Sequence, residues 1–228
     1  MYNTSMKLVL ASAGIETKGV VEVAAELVGK SPSEISVAFI LEAHAVKDSD
    51  KRWQINELHK TAQIFGGMIR IVNLLALDTD EIERRLLASD IVFCLGGNTG
   101  YLKTVFDKSG LSEILPRILD KCVWIGNSAG SIILSKRSPY REAVAHEKKE
   151  TFGVTEYLGL VDCHIIPHVG ADNDPKHLLE TCIEESRRQT APVYALSDES
   201  ALVIDGDKQY LLGKNCHKIV NGKILEEQ

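Results

Sequence analysis

The segment of this 228-residue chain best suited to chemistry is Gly126-Asn127-Ser128-Ala129-Gly130. It follows the apolar run Cys122–Ile125 and precedes the helix-compatible run Ser131–Leu134. That is the context a G-x-S-x-G nucleophile elbow requires, because small flanking residues let the chain turn sharply from strand to helix and lift the serine hydroxyl into solvent. The plain alternative is a glycine-rich βα turn. A serine hydroxyl is a weak nucleophile until a base takes its proton. Of the seven histidines, His168 in Ile165-Ile166-Pro167-His168 lies just past a predicted strand, at the sheet edge where α/β active sites gather. His164 lies inside that strand, and His44, His59, His177 and His217 sit in or beside ordinary polar stretches.

A second turn, Gly96-Gly97-Asn98-Thr99, also follows an apolar run. Its amides would converge on the same edge, so the Gly97 and Ala129 N–H groups could form an oxyanion hole. Asn98 equally suits the cap of the following helix. A phosphate loop is disfavoured, because neither a Lys-Ser/Thr pair nor the full G-x-G-x-x-G spacing is present.

These turns need a scaffold, and short apolar runs alternating with amphipathic segments supply the pattern of βαβ units around a largely parallel sheet. Strands are expected at Lys7–Ala11, Val37–Leu41, Ile69–Leu74, Asp90–Leu95, Cys122–Ile125 and Val161–Ile166. Helices are expected at Val20–Leu27, 50–65, Thr79–Leu87, after Thr99, at Leu111–Leu119, and from Asp174-Pro175 to about Arg188. Three short strands near Val193–Leu196, Ala201–Ile204 and Gln209–Leu212 finish the chain, the last two joined by an Asp205-Gly206 hairpin turn. The charged stretch Lys136–Tyr157 lacks either hydrophobic period and reads as an excursion from the sheet. No repeat or linker divides residues 1–228, so a single domain is expected.

Composition narrows the functional classes. A formal charge of −6 leaves no basic footprint for nucleic acid. Five scattered cysteines without a C-x-x-C pair signal neither a disulfide framework nor a thiolate zinc site, which fits a reducing cytoplasm. No apolar run approaches the roughly 18 residues of a spanning helix, and Leu8-Val9-Leu10 is too short for a signal-peptide core. No metal or cofactor is expected.

Three pieces together resemble the peptidase E and cyanophycinase family of serine peptidases: Gly96-Gly97-Asn98-Thr99, the serine elbow, and Ile166-Pro167-His168 forty residues beyond the serine. Ser197-Asp198-Glu199-Ser200-Ala201-Leu202-Val203 is similar to the family's lead into a C-terminal hairpin. The resemblance implies a flavodoxin-like three-layer sandwich, with a mostly parallel central sheet and a C-terminal β-hairpin, akin to class I glutamine amidotransferases. It implies Ser128 as nucleophile, His168 as base, and Gly97 and Ala129 as oxyanion donors, with Asn98, Thr99 and Asn127 beside substrate. In the family an acid lies between serine and histidine, yet no aspartate occurs from Ala129 to Leu160. Glu147 is the favoured carboxylate by its interval to His168, Glu142 is the reserve, and Glu150 and Glu156 complete the candidates. The implied activity is cytoplasmic hydrolysis of a small peptide, dipeptidase-like, with an acidic (aspartyl) preference. A homodimer, the commonest soluble assembly, is the protein partner to test.

Two competing readings stand. One is an α/β-hydrolase esterase using Ser128, Asp198 or Asp205, and His217, in the order such enzymes follow. The other is a catalytically silent ligand-binding member of the same fold, because fold alone does not fix activity.

Overall fold

The computed structural model describes residues 6–138, 152–172, 174 and 177–228. Its first layer-forming element is a seven-stranded sheet in the order β3-β2-β4-β5-β1-β8-β9. The strands are β1 (Lys7–Ala11), β2 (Val37–Ile40), β3 (Ile69–Ile71), β4 (Ile91–Cys94), β5 (Val123–Asn127), β8 (Ser200–Asp205) and β9 (Lys208–Gly213). The five from β3 to β1 run parallel. The β8–β9 hairpin closes the far side antiparallel to β1. Strands β1, β2, β4 and β5 read as continuous apolar runs because both of their faces are covered.

The alternation of β1 shows the layering. Leu8 and Leu10 join a core with Ile82 and Leu86 of α3 (Thr79–Leu87), Leu102, Val105 and Phe106 of α4 (Thr99–Lys108), and Ile114, Leu115 and Ile118 of α5 (Leu111–Leu119). Val9 and Ala11 face Val20, Ala24 and Leu27 of α1 (Val20–Val28), with Leu58 of α2 (Arg52–Ile64) packed against the same cluster. This is the three-layer α/β sandwich expected from the sequence. Helix starts are fixed locally: the Asp78 carboxylate accepts the Glu81 N–H, and the Asn98 side chain accepts the Tyr101 N–H, each satisfying an amide that the first helical turn leaves open.

Beyond the elbow the architecture departs from a continuing central sheet. Strands β6 (His164–Ile166), β7 (Val193–Leu196), β10 (Cys216–Val220) and β11 (Lys223–Glu227) form a second sheet in the order β11-β10-β7-β6. The β8–β9 hairpin already occupies the place beside β1, so β6 and β7 pair with each other instead. The second sheet's Ile165, Tyr194 and Leu196 enter the main core, and Ile166, Val193 and Ala195 pack under Cys182 of α7 (Leu179–Ser186). Helix α7 begins at Leu179, not at Asp174-Pro175. Asp174 instead closes a turn in which its N–H donates to the Asp172 carboxylate and its carbonyl accepts the His177 N–H. The excursion's base is pinned by Tyr157 N–H donating to the Lys136 carbonyl at 2.8 Å. No helix among the described residues is long and apolar enough to cross a membrane.

Candidate active site

Ser128 stands between β5 and the short helix α6 (Ala129–Ile132), with φ 49° and ψ −105°. A non-glycine residue held there costs on the order of 1–3 kcal/mol, and the surroundings enforce it. The Ser128 N–H donates to the Ala11 carbonyl at 3.1 Å, and the Ser131 hydroxyl donates to the same carbonyl at 2.8 Å. The Ser128 carbonyl accepts the Ser131 and Ile132 N–H groups at 2.9 Å. Close backbone approach explains the two glycines of the motif. A methyl on Gly126 would lie 2.6 Å from the Gly130 carbonyl oxygen, and one on Gly130 would lie 2.1 Å from that of Cys94. The buried Trp124 indole donates to the Gly130 carbonyl at 3.0 Å, holding the first turn of α6 against the strand.

His168 follows β6 and faces this serine. Its Nε2 lies 3.0 Å from Ser128 Oγ, and its Nδ1 lies 2.6 Å from Asp198 Oδ1. A carboxylate only accepts, so Nδ1 carries a proton, and in the neutral imidazole Nε2 is then the nitrogen whose lone pair faces the hydroxyl. Asp198 follows β7, and its carboxyl is held below the usual carboxylate range, chiefly by the His168 hydrogen bond, against partial burial. The buried Ser12 hydroxyl also meets Asp198 Oδ1, at 2.9 Å, and Thr17 Oγ1 donates to the Asp198 carbonyl at 3.2 Å. A neutral Nε2 against a serine hydroxyl, backed by a carboxylate on Nδ1, is the arrangement that activates a serine for acyl transfer.

The other sequence candidates fall out as follows. Gly96 runs beside the elbow, a methyl on it lying 3.3 Å from Ser128 Cβ, so the Gly96-Gly97 turn borders Ser128. Gly97 has φ 149° and abuts the Ala43 carbonyl. Ala129, buried, opens α6. Asn98 caps α4, Thr99 is its first residue, and Asn127 ends β5 with its side chain buried. His164 is buried with Nδ1 at 3.2 Å from the Arg137 carbonyl, and burial pushes its pKa down. His217 lies in β10 with Glu227 at 3.9 Å as its acidic neighbour, so the structure does not bring it to Ser128 as the esterase reading requires.

Glu142, Glu147 and Glu150 lie outside the described residues. Glu156 is exposed and lines a surface cleft with Lys136, Arg137 and His164. The carboxylate on His168 is therefore one that the sequence suggested only as the acid of the esterase reading. Its signal was an acid immediately after a strand, at the same sheet edge as His168. His177, which the sequence placed only in an ordinary polar stretch, also comes close: its ring stands edge-on to His168 at 5.7 Å between centroids, with Nδ1 2.7 Å from Asp172 Oδ1.

Behind the site lies a buried acid. Glu57 of α2 is 3% exposed, and its Oε1 accepts the Ile15 N–H at 2.9 Å, fixing the 3-10 turn Gly14–Glu16 that leaves β1. Burial pushes its pKa up to about 7 with a smaller push from Glu16, against the Ile15 hydrogen bond and Lys60.

The model of peptidase family S51 matches residues 8–212. The chain belongs to that family. An uncharacterized peptidase of Listeria monocytogenes is 27% identical over 175 residues, covering 75% of this chain and 82% of the relative. One from Pasteurella multocida is 21% identical over 182 residues, covering 79% and 86%. In fold, the chain resembles a Listeria monocytogenes protein provisionally assigned as a peptidase E, with TM-score 0.70, 22% identity, and coverage of 91% of this chain and 98% of that one. A peptidase from an acI-B1 Actinobacterium also matches with TM-score 0.70, at 17% identity, covering 98% and 93%. Membership of S51 makes this protein a serine-type peptidase.

Proposed function

We propose that this S51 peptidase hydrolyses small peptides through an acyl-enzyme on Ser128, with His168 as general base and Asp198 as the orienting acid. The observation that carries the reading is the continuous line of groups from Ser128 Oγ through His168 Nε2 and Nδ1 to Asp198 Oδ1, at 3.0 and 2.6 Å. His168 takes the hydroxyl proton as Oγ bonds the scissile carbonyl carbon, and Asp198 stabilises the imidazolium so formed. The N–H groups of Gly97 and Ala129 are proposed to receive the oxyanion, an interaction that in related chemistry is worth about 3–4 kcal/mol per donor. Collapse of the tetrahedral intermediate breaks the C–N bond, and the leaving amine takes the proton from His168. Water, deprotonated by the same imidazole, then releases the acyl group and restores the serine.

Within this reading the substrate is a dipeptide or similarly short peptide with an acidic residue at the cleaved bond. The resemblance to peptidase E supports that preference, and the His177 ring, paired with Asp172, stands beside His168 at the same edge. A dipeptide library read by mass spectrometry tests it: acidic dipeptides should be consumed first, and Ser128→Ala should consume none. Undiminished turnover by a folded Ser128→Ala protein would overturn the assignment.

A further inference from the structure

We propose that Ser12 is a positioning residue that locks Asp198 and His168 into register through a single buried hydroxyl. The inference rests on Ser128, His168 and Asp198 acting as the triad. Ser12 directly follows β1, is 0% exposed, and donates its own N–H to the Ser200 carbonyl at 3.1 Å, at the start of β8. Its oxygen accepts the His168 main-chain N–H at 2.8 Å, and its proton goes to Asp198 Oδ1 at 2.9 Å. Neither direction can reverse, because an amide N–H only donates and a carboxylate only accepts. The hydroxyl therefore has its donor and its acceptor assigned by its two neighbours.

Both contacts matter to the base. His168 has φ 63°, a left-handed conformation uncommon for a residue with a side chain. The Ser12 oxygen holds the N–H of that residue, so it fixes the strained backbone from which the imidazole projects. Asp198 Oδ1 meets both the Ser12 hydroxyl and His168 Nδ1, so the carboxylate oxygen that orients the ring is itself held in place. Asp198 is 47% exposed at its side chain, and solvent offers no such directional hold. Ser12 thus ties the main chain of the base to the side chain of the acid, and the strand end that carries it also supplies the Ala11 carbonyl that anchors the elbow.

The test reads the reactivity of Ser128 without needing the natural substrate. A fluorophosphonate probe forms an Oγ–P bond, expels fluoride, and sends the Oγ proton to His168 and then to solvent. Its second-order rate constant should fall about tenfold to a hundredfold in Ser12→Ala, the range of a lost hydrogen bond to a charged group. In an Asp198→Ala background the same Ser12→Ala change should cost clearly less than in the wild type, because the contact to the acid is already gone and only the hold on the His168 N–H remains to be lost. Ser12→Cys keeps the side-chain shape with a poor hydrogen-bond donor; it should show the same two results and serves if Ser12→Ala does not fold. An unchanged rate in the folded Ser12 variants, or an equal loss in both backgrounds, would overturn the proposal, since a merely structural serine costs the same with or without the acid. Labelling of Ser128→Ala at the wild-type rate would instead overturn the nucleophile itself.

Discussion

Replacing Glu57 with glutamine should stabilise the protein in alkaline solution and change its stability far less in acid. The carboxyl is 3% exposed, and burial lifts its pKa from an ordinary 4.5 to about 7. Between those values the folded protein binds a proton that the unfolded chain has released, so wild-type stability falls as pH rises through the window. At 1.36 kcal/mol per pH unit, the interval from 4.5 to about 7 amounts to about 3 kcal/mol. Above it, the folded state carries the full cost of an ionised carboxylate in an apolar setting. Glutamine is neutral throughout, and its Oε1 can still accept the Ile15 N–H. Glu16 and Lys60 act on the Glu57 charge in opposite directions, and the value of about 7 already includes both. Urea unfolding of both proteins at steps from pH 4.5 to 8 measures the effect, and the variant's relative stability should grow by about 3 kcal/mol across the series. Parallel stability profiles for the two proteins would refute the reasoning.

Asp198→Asn should lower the rate about 10³- to 10⁴-fold, as the loss of an orienting carboxylate does, whereas Glu147→Gln should leave it near wild type; steady-state kinetics on any cleaved dipeptide separates the two. His168→Ala should cost at least about 10⁴-fold, while His164→Ala should lower the melting temperature and spare most of the rate, because its buried ring meets the Arg137 carbonyl and not the serine. Gly97→Ala should destabilise the fold by about 2 kcal/mol or more, since φ is 149° and the added methyl would lie 2.2 Å from the Ala43 carbonyl oxygen. A melt of that variant within a degree of wild type would count against the backbone geometry.

What the sequence discloses depends on how local the cause is. The elbow is legible because the close backbone approaches that demand Gly126 and Gly130 arise at the turn itself, so the requirement is written on either side of Ser128. His168 is legible because its proline and strand mark a sheet edge. Asp198 is harder: its bond to His168 spans 30 residues and exists because β6 and β7 pair in a second sheet, placing the two strand ends together. Strands β10 and β11, which extend that sheet, carry little apolar alternation, and Lys223, Ile224 and Leu225 are exposed. The hydroxyl of Ser12 is more distant still, reaching Asp198 across 186 residues. No short-range pattern could mark it.

With the proposed triad, the two-sheet construction makes catalysis a report on assembly. Ser128 comes from the seven-stranded sheet, whereas His168 and Asp198 stand at strand ends of the four-stranded one. An ångström of slippage between these bodies would stretch the 3.0 Å contact from hydroxyl to imidazole beyond bonding range while leaving every strand pair intact. Such a protein would keep its circular dichroism and lose its reactivity. Substitutions in the shared packing, at Ile165, Tyr194 or Leu196, can therefore silence the enzyme from a distance, and probe labelling would detect a loosened joint before any spectroscopic measure of folding.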